Sequence, residues 1–308
     1  MEYSIQPFTE DRLDDFRLLY KEVYGKSIPL EFVLKKFDSK YLIDDYFGYF
    51  AYDNSKPIAF YGVVPVLMHY KNQTEIGAQS VNTMTHPDYN GKGLFTKLAA
   101  LTYAKMEQSG ITFLWGFPNE NSAHAFLNKL GGKSNEQMMG YSIPASKYPI
   151  QNGMQKIPFI RIFYKSYLKK IFEKHITEKT LKGSIPEDYV SVCRNKAYYN
   201  YKTFSDNFNI VLEDCFFWIK IKNGLEIGDV EASSEENFNK AMQSLKQICK
   251  KAGIQKITFQ TSPGTLPYEW MKNQKSIDFK SWLVGYKNLG SHFPLEKLKF
   301  TLGDVDTF

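Results

Sequence analysis

Apolar and polar positions alternate with a changing period along this chain, and the changes outline its elements. Leu13, Phe16, Leu19, Tyr20 and Val23 recur at helical spacing after Thr9-Glu10-Asp11 and stop at Gly25, which predicts a helix behind a short strand at residues 3–8. A second short helix is expected over 29–37. The period then shortens: residues 46–52, 58–70 and 75–85 read as an antiparallel meander, separated by turns at 53–57 and 71–73. From Gly93 the helical period returns, with Leu94, Leu98, Leu101 and Met106 on one expected buried face and Gly110 closing the helix. Residues 111–115 form a compact strand, Phe117-Pro118 breaks it, and 121–130 form a further helix ended by Gly131-Gly132.

The second half begins differently. Residues 159–182 mix Ile160, Phe163, Tyr167 and Ile171 with Arg161, Lys165, Lys169, Lys170, Lys174, Lys179 and Lys182. This predicts a basic amphipathic helix or helical linker, which either bridges two domains with a solvated face or lies on a membrane surface. Beyond it come strands at 209–218 and 224–231, a helix over 235–252, a strand at 257–261 and a closing strand at 282–287. That is the order already met over 46–141. A chain of 308 residues is long for one domain, so a diverged internal duplication is expected. The expected division is 1–150, a linker over 151–182, and 183–308.

Composition narrows the class. With 43% hydrophobic and 23% charged residues, disorder and fibrous repeats are excluded. The 39 Lys and Arg exceed the 33 Asp and Glu by only six, too few for a dedicated nucleic-acid binder. No run approaches the ~20 apolar residues of a membrane span. The first eight residues hold Glu2 and Pro7 and no signal-like apolar run. Cys193, Cys215 and Cys249 are odd in number and widely spaced, which suits free thiols in a cytoplasmic protein. His69, His124, His175 and His292 have no metal-ligand spacing, so no metal is expected.

The chemistry concentrates between Asn82 and Leu98, where a strand ends at Thr85 and Asn90-Gly91-Lys92-Gly93 opens directly into a helix. Such a loop aims several backbone N–H groups and the helix dipole at an anion such as a pyrophosphate. A dinucleotide fingerprint would need glycine where Thr96 stands. Gly131-Gly132-Lys133-Ser134 imitates a P-loop ending, but Leu127 occupies the first glycine's place, and the run reads as a helix cap.

The sequence His86-Pro87-Asp88-Tyr89-Asn90-Gly91-Lys92-Gly93-Leu94 at this junction resembles the GNAT superfamily of acetyl-CoA-dependent N-acyltransferases. The resemblance runs over residues 1–145 and has a second match in Phe117-Pro118-Asn119-Glu120-Asn121-Ser122 with the helix after it. It implies an α+β fold whose mixed, mostly antiparallel sheet is flanked by helices, and the repeated element order extends the expectation to a second tandem domain over 183–308, of similar but degenerate design, that shapes the acceptor cleft. It also implies acetyl-CoA as donor. Thr83, Met84 and Thr85 would lie along the pantetheine arm, and Asn90, Gly91, Lys92, Gly93, Leu94, Phe95 and Thr96 would wrap the pyrophosphate. Asn119 and Asn121 would contact the same molecule. The sequence departs from the family at Asn90, usually Arg or Gln, and at Phe95, usually a small residue. Phe126 and Leu127 stand where a Tyr often protonates the departing thiolate.

Acyl transfer to an amine needs a polarised thioester, a neutral amine close to it and a stabilised leaving group. Residues 1–150 contain no Cys, so direct attack by a small-molecule amine acceptor is expected over an acyl-cysteine route. Candidates for moving the proton are His86, Asn82 as a water-positioning group, and Glu75. Tyr41, Tyr46, Tyr49, Tyr52, Tyr61 and Tyr70 are expected mainly in the core, while Tyr198, Tyr199 and Tyr201 either touch an acceptor or pack between domains. Glu235 and Glu236 in the second half stand where phosphate would bind, so one cofactor site per chain is expected. Two other readings remain open: a Fem-type aminoacyl transferase using charged tRNA, and a non-catalytic acyl-CoA-binding module.

Overall fold

The computed structural model describes residues 3–147, 150–154 and 158–308. Strand β1 (Ser4–Pro7) leads into α1 (Leu13–Tyr24) and α2 (Leu30–Phe37). α1 buries Leu13, Phe16 and Leu19 and ends at Gly25. The meander follows as β2 (Phe47–Asp53), β3 (Lys56–Tyr70) and β4 (Gln73–Thr85), antiparallel throughout. Then come α3 (Leu94–Gln108), β5 (Phe113–Gly116), α4 (Glu120–Lys129) and β6 (Lys133–Pro144). Leu101 departs from expectation: it is exposed, whereas Leu98, Thr102, Tyr103 and Met106 are buried. The arc that α3 turns to the sheet is centred on Thr102, and at 3.6 residues per turn Leu101 points about 100° away.

The second half holds α5 (Ile150–Met154), α6 (Pro158–Glu173), β7 (Ser191–Val192), α7 (Lys196–Tyr201), β8 (Asn207–Leu212), β9 (Cys215–Ile221) and β10 (Leu225–Glu231). It closes with α8 (Glu235–Ala252), β11 (Lys256–Thr261), α9 (Leu266–Lys272) and β12 (Ile277–Asn288). The helix expected to run through Lys182 stops at Glu173. Residues 155–157 of the expected linker, and the side chains of Ile160 and Arg161, lie outside the described residues. Glu231 holds the following loop, accepting from Lys179 Nζ at 3.3 Å and from the Lys182 N–H at 3.0 Å. The single strand expected over 209–218 is a hairpin. Its turn residues, Glu213 and Asp214, sit at φ 48° and 58° without the glycine that announces such turns.

All strands join one sheet in the order β1-β2-β3-β4-β5-β12-β6-β11-β10-β9-β8, with β7 added on β3. Among the named strands of the described residues, only β4–β5 and β10–β11 pair in parallel. The two halves repeat each other: the antiparallel run β8–β9–β10 with parallel β11 matches β2–β3–β4 with parallel β5. Their last strands are exchanged, since β6 follows α4 but pairs with β11, while β12 follows α9 and pairs with β5. β6 and β12 also pair with each other, so the halves share continuous backbone hydrogen bonding.

One face of the first half is covered by α1 and α2 around Phe8, Phe16, Phe37 and Phe60, the other by α3 and α4 around Leu98, Met106 and Leu114. The chain beyond β12 crosses back over the middle of the sheet. Phe300 stacks on Trp115 at 4.4 Å and Phe308 meets Trp218 edge-on at 4.9 Å. Beneath this segment Arg194, with a side chain 2% exposed, bonds Asp229, Asp304 and Thr301, and both carboxylates are fully buried. Gln79 of β4 donates to the Asp304 carbonyl at 3.0 Å. Tyr198 and Tyr199 are buried in the core around Trp218, and Tyr201 donates to the Lys36 carbonyl at 2.9 Å. The second-half tyrosines therefore hold the halves together.

Candidate active site

β4 and β5 pair only over residues 77–79 and 113–115. Phe117-Pro118 then carries the chain away while β4 runs on to Thr85, so the edge of β4 beyond Gln79 is open toward a cleft of about 970 Å3. A bulge re-aims that edge. Gly62 faces Val81 but Phe60 faces Met84, which inserts one extra residue into β4. Asn82 takes the left-handed conformation there, at φ 48°, which Asn tolerates better than most side chains. Asn82 Oδ1 on β4 and the indole Nε1 of Trp115 on β5 are buried without partners among the described residues. An unmet buried polar atom costs about 1–3 kcal/mol, so this acceptor and this donor favour a polar ligand in the cleft.

At the mouth, the His86 N–H bonds the Ile58 carbonyl at 2.8 Å, a 3-10 turn spans Pro87–Tyr89, and the chain passes Gly91 and Gly93 into α3. Both glycines have positive φ, 75° and 73°, yet a Cβ on either would meet nothing within 4 Å. Backbone conformation, not crowding, is what calls for glycine here. The first intrahelical bond is Lys97 N–H to the Gly93 carbonyl, which leaves the N–H groups of Leu94, Phe95 and Thr96 pointing from the helix start into the cleft. Lys92 and Lys129 are the cations on the lining. Lys92 Nζ lies 4.5 Å over the Tyr89 ring and donates to Tyr3 at 3.0 Å. The Tyr89 phenol in turn donates to Asp53 at 2.7 Å, a bond that pushes its pKa up to about 12.

The lining contains residues 82–85 and 90–96 together with Asn119 and Asn121, which is every expected site residue except His86 and Glu75. Asn119 spends its Oδ1 on a capping box with Asn121 N–H and Ser122 at the start of α4, so it shapes the site through the helix end. His86 lies outside the lining. Its ring is nearly buried between Lys56 Nζ at 3.1 Å and Glu22 at 3.3 Å, and its Nδ1 accepts from the Asp88 N–H. Pro87 starts the 3-10 turn, and the imidazole is used as that turn's cap, away from the lining. Glu75 is also remote, accepting from Thr112 and Ser291 hydroxyls at 2.6 Å each. None of the three cysteines lines the cleft, and burial pushes all three thiols up, Cys215 to about 11.

Four lining features were missed in the sequence. Ser80 Oγ donates to the Tyr61 hydroxyl at 3.2 Å, which bonds the Tyr103 hydroxyl at 3.1 Å. Burial pushes both phenols up. The chain Ser80–Tyr61–Tyr103 links β4, β3 and α3 beside the point where β4 and β5 part; Tyr61 was one of six tyrosines that could line a cleft but were expected mainly in the core, and nothing in the sequence joined it to Ser80 and Tyr103. Asp306 is the one carboxylate on the lining among the described residues, and it pairs with the buried Lys36 at 2.8 Å. Trp282 of β12 and Tyr24 of α1 complete the far wall. No local signal could find Asp306 or Trp282, which come from the other end of the chain. Among the described residues no three His, Cys, Asp or Glu side chains gather as a metal site.

Residues 4–131 match the family model described as acetyltransferase (GNAT) domain. An uncharacterized N-acetyltransferase of Methanocaldococcus jannaschii is 29% identical over 146 residues, 45% of this chain and 64% of that protein. The chain thus spans less than two thirds of that relative. A GCN5-related N-acetyltransferase structure from Kribbella flavida superimposes with a TM-score of 0.61 at 13% identity, over 94% of this chain and 72% of the other. A Pyrococcus horikoshii structure does so with 0.57 at 13% identity, over 98% and 94%. The shared fold therefore extends across both halves.

Proposed function

Because residues 4–131 carry a GNAT acetyltransferase domain and the chain belongs to that superfamily, we propose that it moves an acetyl group from acetyl-CoA to the amine of a small acceptor. The observation that carries this reading is the open, bulged edge of β4 leading to a helix start with unused N–H groups. An extended amide-bearing arm suits the edge, and a pyrophosphate suits the helix start. The Gly91-Lys92-Gly93 loop supplies main-chain donors, and Lys92 and Lys129 supply the positive charge absent at Asn90. The residues present fit the donor molecule, which brings the activated acetyl group.

Ser80, Tyr61 and Tyr103 form a hydroxyl chain that can hydrogen-bond a departing thiolate, the task left unfilled by Phe126 on α4. Asn82 and the Trp115 indole orient polar groups at the reacting end. On the far wall Asp306 orients the acceptor amine and takes its proton, directly or through water. Direct attack needs no thiol. The repeated strand order further supports reading the second half as a diverged copy that builds the acceptor wall. Glu235 and Glu236, in the first turn of α8, oppose a second pyrophosphate there.

Titration calorimetry with acetyl-CoA and a free-thiol release screen over amines test the proposal. Binding at one site per chain and thiol release with at least one amine support it. Binding without turnover over the whole panel would leave an acyl-CoA-binding module, and affinity for charged tRNA without acetyl-CoA binding would favour aminoacyl transfer.

A further inference from the structure

The outward face of α6 has no role in the cleft, yet it is the most exposed apolar surface among the described residues. Phe159 is 70% exposed, Ile162 68%, Phe163 61% and Tyr167 47%. Their spacing of i, i+3, i+4 and i+8 sets them on one stripe, and Phe159 and Phe163 contact edge to face at 5.0 Å. The opposite face carries Tyr164, Leu168 and Phe172, buried in the second half's core. Hydroxyls of Tyr164 and Tyr167 donate to the carbonyls of Ala252 and Lys251 at 2.8 and 3.0 Å, so α6 lies fixed along the end of α8. The helix is anchored; its outer stripe is left to water. Contiguous exposed apolar surface rimmed by polar groups marks an interaction site.

The rim identifies the partner. Lys169 and Lys170 on α6, and Lys250 and Lys251 at the adjoining end of α8, make no ion pair among the described residues. Lys165 reaches only the exposed Asp206, at 3.7 Å. The one acid on α6 is Glu173, at the end remote from the stripe. Pairing this face with a second copy of itself would set lysine against lysine, and a nucleic-acid duplex, with its bases stacked inside, would leave the rings in water. A surface with negative charge at the headgroups and hydrocarbon just beneath satisfies both features, the lysine stems reaching up along the apolar face while their ammonium groups stay in the headgroup layer. We propose that α6 docks the protein flat on an anionic lipid bilayer. No described helix is long and apolar enough to cross a membrane, so the association is peripheral.

Co-sedimentation of the full chain with vesicles tests this, using pure phosphatidylcholine and phosphatidylcholine with about one third phosphatidylglycerol. Binding to the anionic vesicles is expected, weakening with added salt, with much less binding to the neutral ones. The variant Phe159→Ser/Ile162→Ser/Phe163→Ser removes only exposed side chains. It should keep the circular dichroism and melting temperature of the parent and lose at least about tenfold in vesicle affinity. Lys169→Gln/Lys170→Gln should lose about fivefold per lysine and flatten the salt dependence. Absence of sedimentation by the parent protein overturns the proposal, as does equal binding by the triple variant. So does a dimer, seen without lipid, that the triple variant abolishes, since the stripe would then belong to a second copy.

Discussion

Lys202 is fully buried, and its Nζ donates to the Val305 carbonyl at 2.8 Å, one residue from Asp306 on the cleft lining. Burial is the main reason its pKa falls from 10.5 to about 7, with Asp304 and Asp306 only partly compensating. The folded protein therefore binds fewer protons than the unfolded chain between pH 7 and 10.5, and stability must rise with pH across that window. Taking those two values, the linkage integral gives Lys202 a stability gain of about 2 kcal/mol between pH 7 and pH 9. Lys202→Met removes the titration while keeping a stem of similar length. Urea unfolding of both proteins at pH 7, 8 and 9 isolates the effect, because other groups cancel in the difference. The parent should gain about 2 kcal/mol relative to the variant as pH rises. A difference that stays within about 0.5 kcal/mol, or runs the other way, would refute the claim that desolvation dominates at this lysine.

Gly93→Val should weaken acetyl-CoA binding by at least about tenfold with unchanged circular dichroism, because a branched side chain at φ 73° forces the helix start to reshape; calorimetry decides it. His86→Ala should lower turnover by less than the ~10²-fold expected for loss of a general base, since the ring caps a turn outside the cleft; the full pH–rate profile checks it. Arg194→Met should destabilise the fold by about 3–5 kcal/mol in urea, because it strands Asp229 and Asp304, both fully buried. Asp306→Asn should raise KM or lower kcat for the amine while leaving acetyl-CoA affinity within about twofold, read by calorimetry beside steady-state rates.

Local signals governed what could be read in the chain. Helix ends at Gly25 and Gly253, both in the left-handed conformation, and the whole span of α8 follow from capping and periodicity within one segment. The loop at the start of α3 was legible for the same reason: Asn90-Gly91-Lys92-Gly93 needs only its own backbone and the next helix to present N–H groups. The Glu213-Asp214 turn was not, since two acidic residues adopt φ values that glycine or asparagine would advertise. Leu101 marks the limit of periodicity, which proposes an apolar face but not the angle at which the sheet receives it.

What joins the two halves was decided by tertiary structure alone. Strands β6 and β12 carry ordinary strand patterns, and nothing in either tells which neighbour satisfies its backbone; that depends on edges assembled from β5 and β11, more than a hundred residues apart. The far wall of the cleft has the same origin. Asp306 enters the cleft only because Phe300 and Phe308 find Trp115 and Trp218, and Gln79 and Arg194 find Asp304, across the sheet. The Asn90–Gly93 loop is a property of consecutive residues, whereas the far wall of the cleft is a property of contacts between distant ones, which no period or spacing along the chain records.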